Sequence, residues 1–214
     1  MQIQKISNNQ SFTGYKLQTI KTPAKKIDIY KLTEQDDSFI KRTLDILKGQ
    51  HFPKDRLSVG EGTNREIFEN SLQASPNKWG NTVLVAIEDN KKVAGIINVE
   101  RDADDKVQGL VCLNGSQQPS LLSRESLILA ALKETAKEQY KAVTVNADNF
   151  TESIRKFFNK FGFKTEKTPT YKQMVIECED IPQAINKYET NSPHIIENYE
   201  NSKNVKMEDI LNLD

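Results

Sequence analysis

Apolar and polar positions from residue 27 onward fall into two periods, short alternating or continuous runs and longer amphipathic stretches, and these predict the elements. Ile27-Asp28-Ile29-Tyr30-Lys31-Leu32 alternates as a strand does. Thr33 is placed to cap a helix over about 34–48. Acidic residues fall in its first turn, Phe39, Ile40, Leu44 and Leu47 share one face, and Gly49 stops it. A second helix over about 64–74 turns Ile67, Phe68 and Leu72 inward, and Trp79 is read as its anchor on the sheet. Three strand-like runs follow at 83–87, 93–99 and 107–113, the first two joined by a turn at Asp89-Asn90. Asn114-Gly115-Ser116 and Pro119 break the pattern before a long helix over about 120–139, with Leu121, Ile128, Leu132 and Ala136 on one stripe. A strand at 142–146, a short helix at 151–161 and two strands near 163–168 and 171–178 complete the pattern. Gly162 suits a left-handed helix cap, with Phe163 folding back on the last turn.

The order is strand, two helices, three strands, helix, strand, helix, two strands, which predicts an α+β fold layered on one mixed sheet. Short turns imply antiparallel neighbours, and continuous apolar runs imply a sheet covered on both faces. Residues 1–26 are polar and read as an N-terminal extension, 27–178 as the domain, and 179–214 as a polar C-terminal tail, partly disordered or carrying a docking helix at 207–211. No internal repeat is visible.

Thirty basic and thirty acidic residues cancel, which removes a global drive toward nucleic acid or a membrane surface. No apolar run is long enough to span a bilayer and the first residues lack a signal-peptide core, so a cytoplasmic location is the default expectation. Cys112 and Cys178 both lie in strand-like runs and read as buried free thiols. His51 and His194 are far apart, and no Cys/His spacing predicts a metal site.

Three segments carry a family resemblance: Ile29-Tyr30-Lys31-Leu32-Thr33-Glu34-Gln35-Asp36, Lys92-Val93-Ala94-Gly95-Ile96-Ile97, and above all Phe157-Phe158-Asn159-Lys160-Phe161-Gly162-Phe163. In order and spacing over about 27–178 they resemble the first strand and helix cap, the third strand and the penultimate helix of the GCN5-related N-acetyltransferase (GNAT) superfamily. The resemblance implies a three-layer α/β/α fold with a central mixed, mostly antiparallel sheet. It also implies transfer of an acetyl group from acetyl-CoA to a primary amine by direct attack, with no metal. The acceptor would be a small molecule or a protein, and a homodimer stays open as an assembly.

The same resemblance assigns site residues. The pantetheine arm would lie against the strand that includes Val111, Cys112 and Leu113. The pyrophosphate would lie at the following helix N-terminus, where Ser123-Arg124-Glu125 matches the family's glycine-rich turn with side chains at both glycine positions. Glu125 would repel the phosphates and Arg124 would offset it. Read as residues alone, Ser120 is an N-cap and Glu125 a first-turn acid, and Asn114-Gly115-Ser116 offers another phosphate cradle. Asn149 or Asn146 matches an asparagine that touches the CoA arm, and Asn149 would serve equally as a helix cap. Phe158 stands at a position where the family often has an acid-donating tyrosine; a phenyl ring donates no proton. Candidate bases are Glu100, Asp102, a water held by Asn98, and His51. The alternative to catalysis is a binding module of this fold acting through its tails.

Overall fold

The computed structural model describes residues 13–32, 82–90, 92–102, 107–113, 121–138, 140–148, 150–167, 172–199 and 205–206. The helices expected at 34–48, 64–74 and 207–211, with Trp79, the 114–116 turn and Ser120, lie outside the described residues.

One ten-stranded sheet organises what is described. Its strands are β1 (Thr13–Lys21), β2 (Lys26–Leu32), β3 (Thr82–Glu88), β4 (Lys92–Asp102), β5 (Val107–Leu113), β6 (Ala142–Asn146), β7 (Lys164–Lys167), β8 (Lys172–Glu177), β9 (Ile195–Asn198) and β10 (Val205–Lys206). The spatial order is β10-β1-β2-β3-β4-β5-β6-β8-β7, with β9 also paired to β1. All the pairs are antiparallel except β5 and β6. The β3–β4 hairpin turns on Asp89 and Asn90, both in the left-handed region at φ 51° and 60°, the geometry that matches the twist of the flanking strands. The parallel pair needs a crossover, and helix α1 (Leu121–Thr135) supplies it. Among the described residues no helix is long and apolar enough to cross a membrane.

Alternation decides which side of the sheet each residue serves. Ile27, Ile29, Leu84, Ala86, Ile97 and Val99 pack with the α1 residues Leu127, Ile128 and Leu132 in one cluster. Tyr30, Val83, Val85, Ile87 and Ile96 alternate with them and are also buried, so both faces of the sheet are covered. Helix α2 (Glu152–Asn159) adds Ile154, Phe157 and Phe158 to the α1-side cluster.

Strands from both polar stretches, 13–21 and 195–198, are built into the sheet. β1 falls within the stretch read as an extension and forms seven registered pairs with β2. Its polar residues mislead because they are satisfied rather than solvated. Thr19 Oγ1 donates to Asp28 Oδ1 at 2.6 Å, and fully buried Gln18 accepts from Lys133 at 3.2 Å. The tail holds helix α3 (Ile181–Asn191), which packs on α1, and then β9, which returns to β1 in four registered pairs. Lys133 of α1 fastens this strap through Glu189 and Asn198. Burial lowers the Lys133 ammonium pKa, although its bond to Glu189 opposes the shift. Cys178 opens a short 3-10 turn instead of lying in a strand; it is a half-buried free thiol whose pKa is raised by desolvation and the Glu177 charge.

Candidate active site

The parallel β5–β6 ladder is short. It pairs Val107 with Ala142, Gln108 with Val143 and Gly109 with Thr144, and ends there. β5 runs on to Leu113 while still paired to β4, with Val111 opposite Asn98, Cys112 opposite Ile97 and Leu113 opposite Ile96. β6 meanwhile keeps its antiparallel ladder with β8 as far as Asn146 opposite Gln173. The two strands therefore part beyond Gly109 and Thr144, leaving one edge of residues 110–113 unpaired by β6 among the described residues. Backbone N–H and C=O groups that lose a ladder partner must find another one. This is the strand expected to receive a pantetheine arm, and its open length begins one residue before Val111.

Helix α1 is the next described element after β5. Its first residue, Leu121, is exposed, whereas Ser123 and Glu125 are buried. Arg124 is half-buried. Ser123 Oγ has no hydrogen-bond partner among the described residues. The Glu125 carboxylate meets Lys160 Nζ at 3.3 Å and the Tyr188 hydroxyl at 2.9 Å. Burial and the Glu125 charge together raise the Tyr188 phenol pKa. Through these contacts Glu125 ties α1 to α2 and α3. An open cavity of about 560 Å³ borders this cluster, lined by Leu121, Glu125, Lys160, Lys187, Tyr188 and His194.

The end of α2 has the cap geometry its sequence predicts. Gly162 adopts φ 85°, its N–H donates to the Asn159 carbonyl at 3.1 Å, and the Phe163 N–H reaches the Phe158 carbonyl at 3.4 Å. Phe163 folds back edge-on to Phe158, with ring centroids 5.3 Å apart. Phe158 also stacks on Phe150 at 5.3 Å and meets Phe157 edge-on at 5.4 Å; only 1% of it is exposed. These contacts place Phe158 in the aromatic core with Phe150, Phe157 and Phe163.

On β4, Asn98 and Glu100 project to one face, two residues apart. Asn98 Nδ2 donates to Glu100 Oε1 at 3.3 Å. Asn98 is 3% exposed, and its Oδ1 is buried without a partner among the described residues. Glu100 is exposed, yet the surrounding protein desolvates its carboxylate enough to raise its pKa. His51 and Asn149 lie outside the described residues. Among the described residues no group of three or more His, Cys, Asp or Glu side chains is placed to hold a metal ion.

A family model for the acetyltransferase (GNAT) domain matches residues 59–177, more than half of the chain. The chain belongs to the GNAT acetyltransferase family. Members of this family use acetyl-CoA as the acyl donor. Solved structures share the fold at low identity. One is an uncharacterised protein of Bacillus halodurans, at 16% identity and a TM-score of 0.55 over 78% of this chain and 92% of that one. A GNAT acetyltransferase of Staphylococcus aureus gives 13% and 0.51, over 71% and 99%. The spermidine/spermine N-acetyltransferase of Vibrio cholerae, solved with manganese ions, gives 10% and 0.51, over 73% and 95%. No curated protein matches the sequence. The GNAT match ends at Glu177, and α3 and β9 lie outside it.

Lys160 and Tyr188 were not among the sequence-derived site residues, although both hold Glu125. No local pattern marks Tyr188, which lies 63 residues beyond its partner.

Proposed function

We propose that this GNAT protein transfers an acetyl group from acetyl-CoA to a primary amine, with the amine attacking the thioester directly. One observation carries the reading: β5 keeps its ladder with β4 to Leu113 but loses β6 after Gly109. Such an opening offers an extended pantetheine arm a row of backbone donors and acceptors around Val111, Cys112 and Leu113. A backbone N–H aimed at the thioester oxygen would stabilise the charge that develops there. The first turn of α1, with Ser123 and Arg124, is the end toward which the pyrophosphate would lie, since helix N-termini attract anions.

Glu100 is the base in this reading. Desolvation raises its carboxyl pKa, which makes it a better proton acceptor. The amine nitrogen bonds to the carbonyl carbon, the carbon–sulfur bond breaks, and one N–H proton passes to Glu100. The products are an amide and the CoA thiolate, which solvent protonates. Phe158 supplies no acid, and a thiolate needs little help because a thiol pKa is about 8.5. Acetylation of spermidine or spermine is the named activity of the Vibrio cholerae relative; for this chain spermidine is one acceptor to try among small-molecule and protein amines.

Thiol release from acetyl-CoA in the presence of primary amines tests the reading. It predicts turnover in the wild type and at least a hundredfold loss in Glu100→Gln, on the order of what removing a general base costs. A second reading, a binding module without catalysis, draws on the enclosed Phe158 and the engaged Glu125. It predicts no turnover in either protein.

A further inference from the structure

Asn98 presents an unsatisfied acceptor beside the candidate base. Its Nδ2 donates to Glu100, which fixes the amide orientation and turns Oδ1 away from that carboxylate. Oδ1 is then a buried carbonyl oxygen with no donor among the described residues, a condition folded proteins rarely leave unexplained. Asn98 stands directly opposite Val111, about 4.8 Å across one strand spacing, on the part of β5 that β6 has left. Its neighbours Ile97 and Val99 point into the α1-side cluster, so Asn98 and Glu100 face the other side of the sheet. Asn98 is opposite Val111 and Glu100 opposite Gly109, the last β5 residue that β6 pairs, so the two side chains lie across β5 from the level at which β5 and β6 part.

We propose that Asn98 and Glu100 together receive the acceptor's amino group, Asn98 Oδ1 taking one N–H and Glu100 the other, so that the site selects primary amines over secondary ones. This rests on the acetyltransferase reading and deepens it. A neutral primary amine has two N–H bonds and one lone pair. With one N–H held by each oxygen, the lone pair is left to point at the thioester. A secondary amine has a single N–H, which cannot serve both oxygens. Glu100 accepts the proton that is lost when the new carbon–nitrogen bond forms, whereas Asn98 only positions.

The test compares phenethylamine with N-methylphenethylamine, and spermidine as a polyamine probe, by thiol release from acetyl-CoA, with CoA binding measured on every variant. The wild type should favour phenethylamine over its N-methyl counterpart by about tenfold or more in kcat/KM, the size of one lost hydrogen bond to a charged or activated group. Asn98→Leu should raise the KM for phenethylamine by about tenfold with kcat little changed, and should erase most of the discrimination. Asn98→Ser, smaller and too short to reach, should behave as leucine does. If Asn98→Leu and Asn98→Ser bind CoA and keep the wild-type KM and selectivity while Glu100→Gln is inactive, the role of Asn98 is overturned and the acetyltransferase reading stands. Wild type that binds no CoA, or binds it and acetylates none of the amines, overturns both.

Discussion

The Tyr188 hydroxyl donates to Glu125 Oε2 at 2.9 Å and so joins helix α3 to the first turns of α1. Lys160 reaches the other carboxylate oxygen from the end of α2. A buried carboxylate needs such partners, because removing it from water costs several kcal/mol when it is left alone. Tyr188 is held in turn by stacking on Phe161, with ring centroids 4.7 Å apart. One acidic side chain thereby fastens three helices.

Tyr188→Phe should keep the stacking and remove the hydrogen bond. A bond to a buried charged group is worth about 1.5–3 kcal/mol, so Tm should fall by roughly 3–10 °C for a chain of this size. Thermal unfolding followed by circular dichroism checks this. An unchanged Tm would mean that Glu125 is satisfied without Tyr188.

Gly162 is the second point of tension. Its φ of 85° suits glycine, and an added Cβ would sit 3.1 Å from both the Ala184 Cβ and the Ile176 Cδ1. Strain from the left-handed backbone and crowding against β8 and α3 add in Gly162→Ala, for a loss of about 2–4 kcal/mol. Urea denaturation should show a lower midpoint with the same slope. A loss under about 0.5 kcal/mol, the range of ordinary surface changes, would contradict the cap geometry.

Acid should weaken the β1–β2 edge. Asp28 is 1% exposed; burial alone would raise its pKa, but Thr19, Lys26 and Lys16 together hold it below the usual value. Lys16 and Lys26 each approach to 2.9 Å. Glu134 behaves alike: burial opposes, and Lys137 and Lys31 prevail to lower its pKa. For a carboxyl depressed in the folded state, the stabilisation is present above the unfolded pKa, near 4, and is lost as pH falls through the folded value. Glu100 has the opposite sign, since its raised pKa favours the fold slightly as it protonates. Stability should therefore hold from about pH 5 to 7 and decline below about pH 4. Asp28→Asn should cost about 2 kcal/mol at pH 7 and flatten that decline, as read from Tm against pH. A decline of equal steepness in the variant would exclude Asp28 as a contributor.

Much of the sheet is legible in the sequence because its signals are local. The alternation of residues 27–32 is β2, the Asp89-Asn90 turn is the β3–β4 hairpin, and Gly162-Phe163 closes α2. The polar ends are not legible, because hydropathy reads Gln18, Thr19 and Asn198 as solvated. Each is satisfied by a residue distant in sequence: Gln18 and Asn198 by Lys133, and Thr19 by Asp28. The candidate site divides in the same way. Position 158 could be read as a phenyl ring without acid chemistry, but Glu125 could not be placed until Tyr188, on a helix outside the GNAT match, came alongside it.

The most direct test of the account is calorimetric titration of the intact chain with CoA, since the parted β5–β6 ladder is assigned to that ligand. Saturable binding at one site per chain, with acetyl-CoA competing, is the predicted result. No heat of binding up to about millimolar CoA, in a sample whose cooperative unfolding shows it to be folded, would contradict the account, because millimolar affinity is only about 4 kcal/mol.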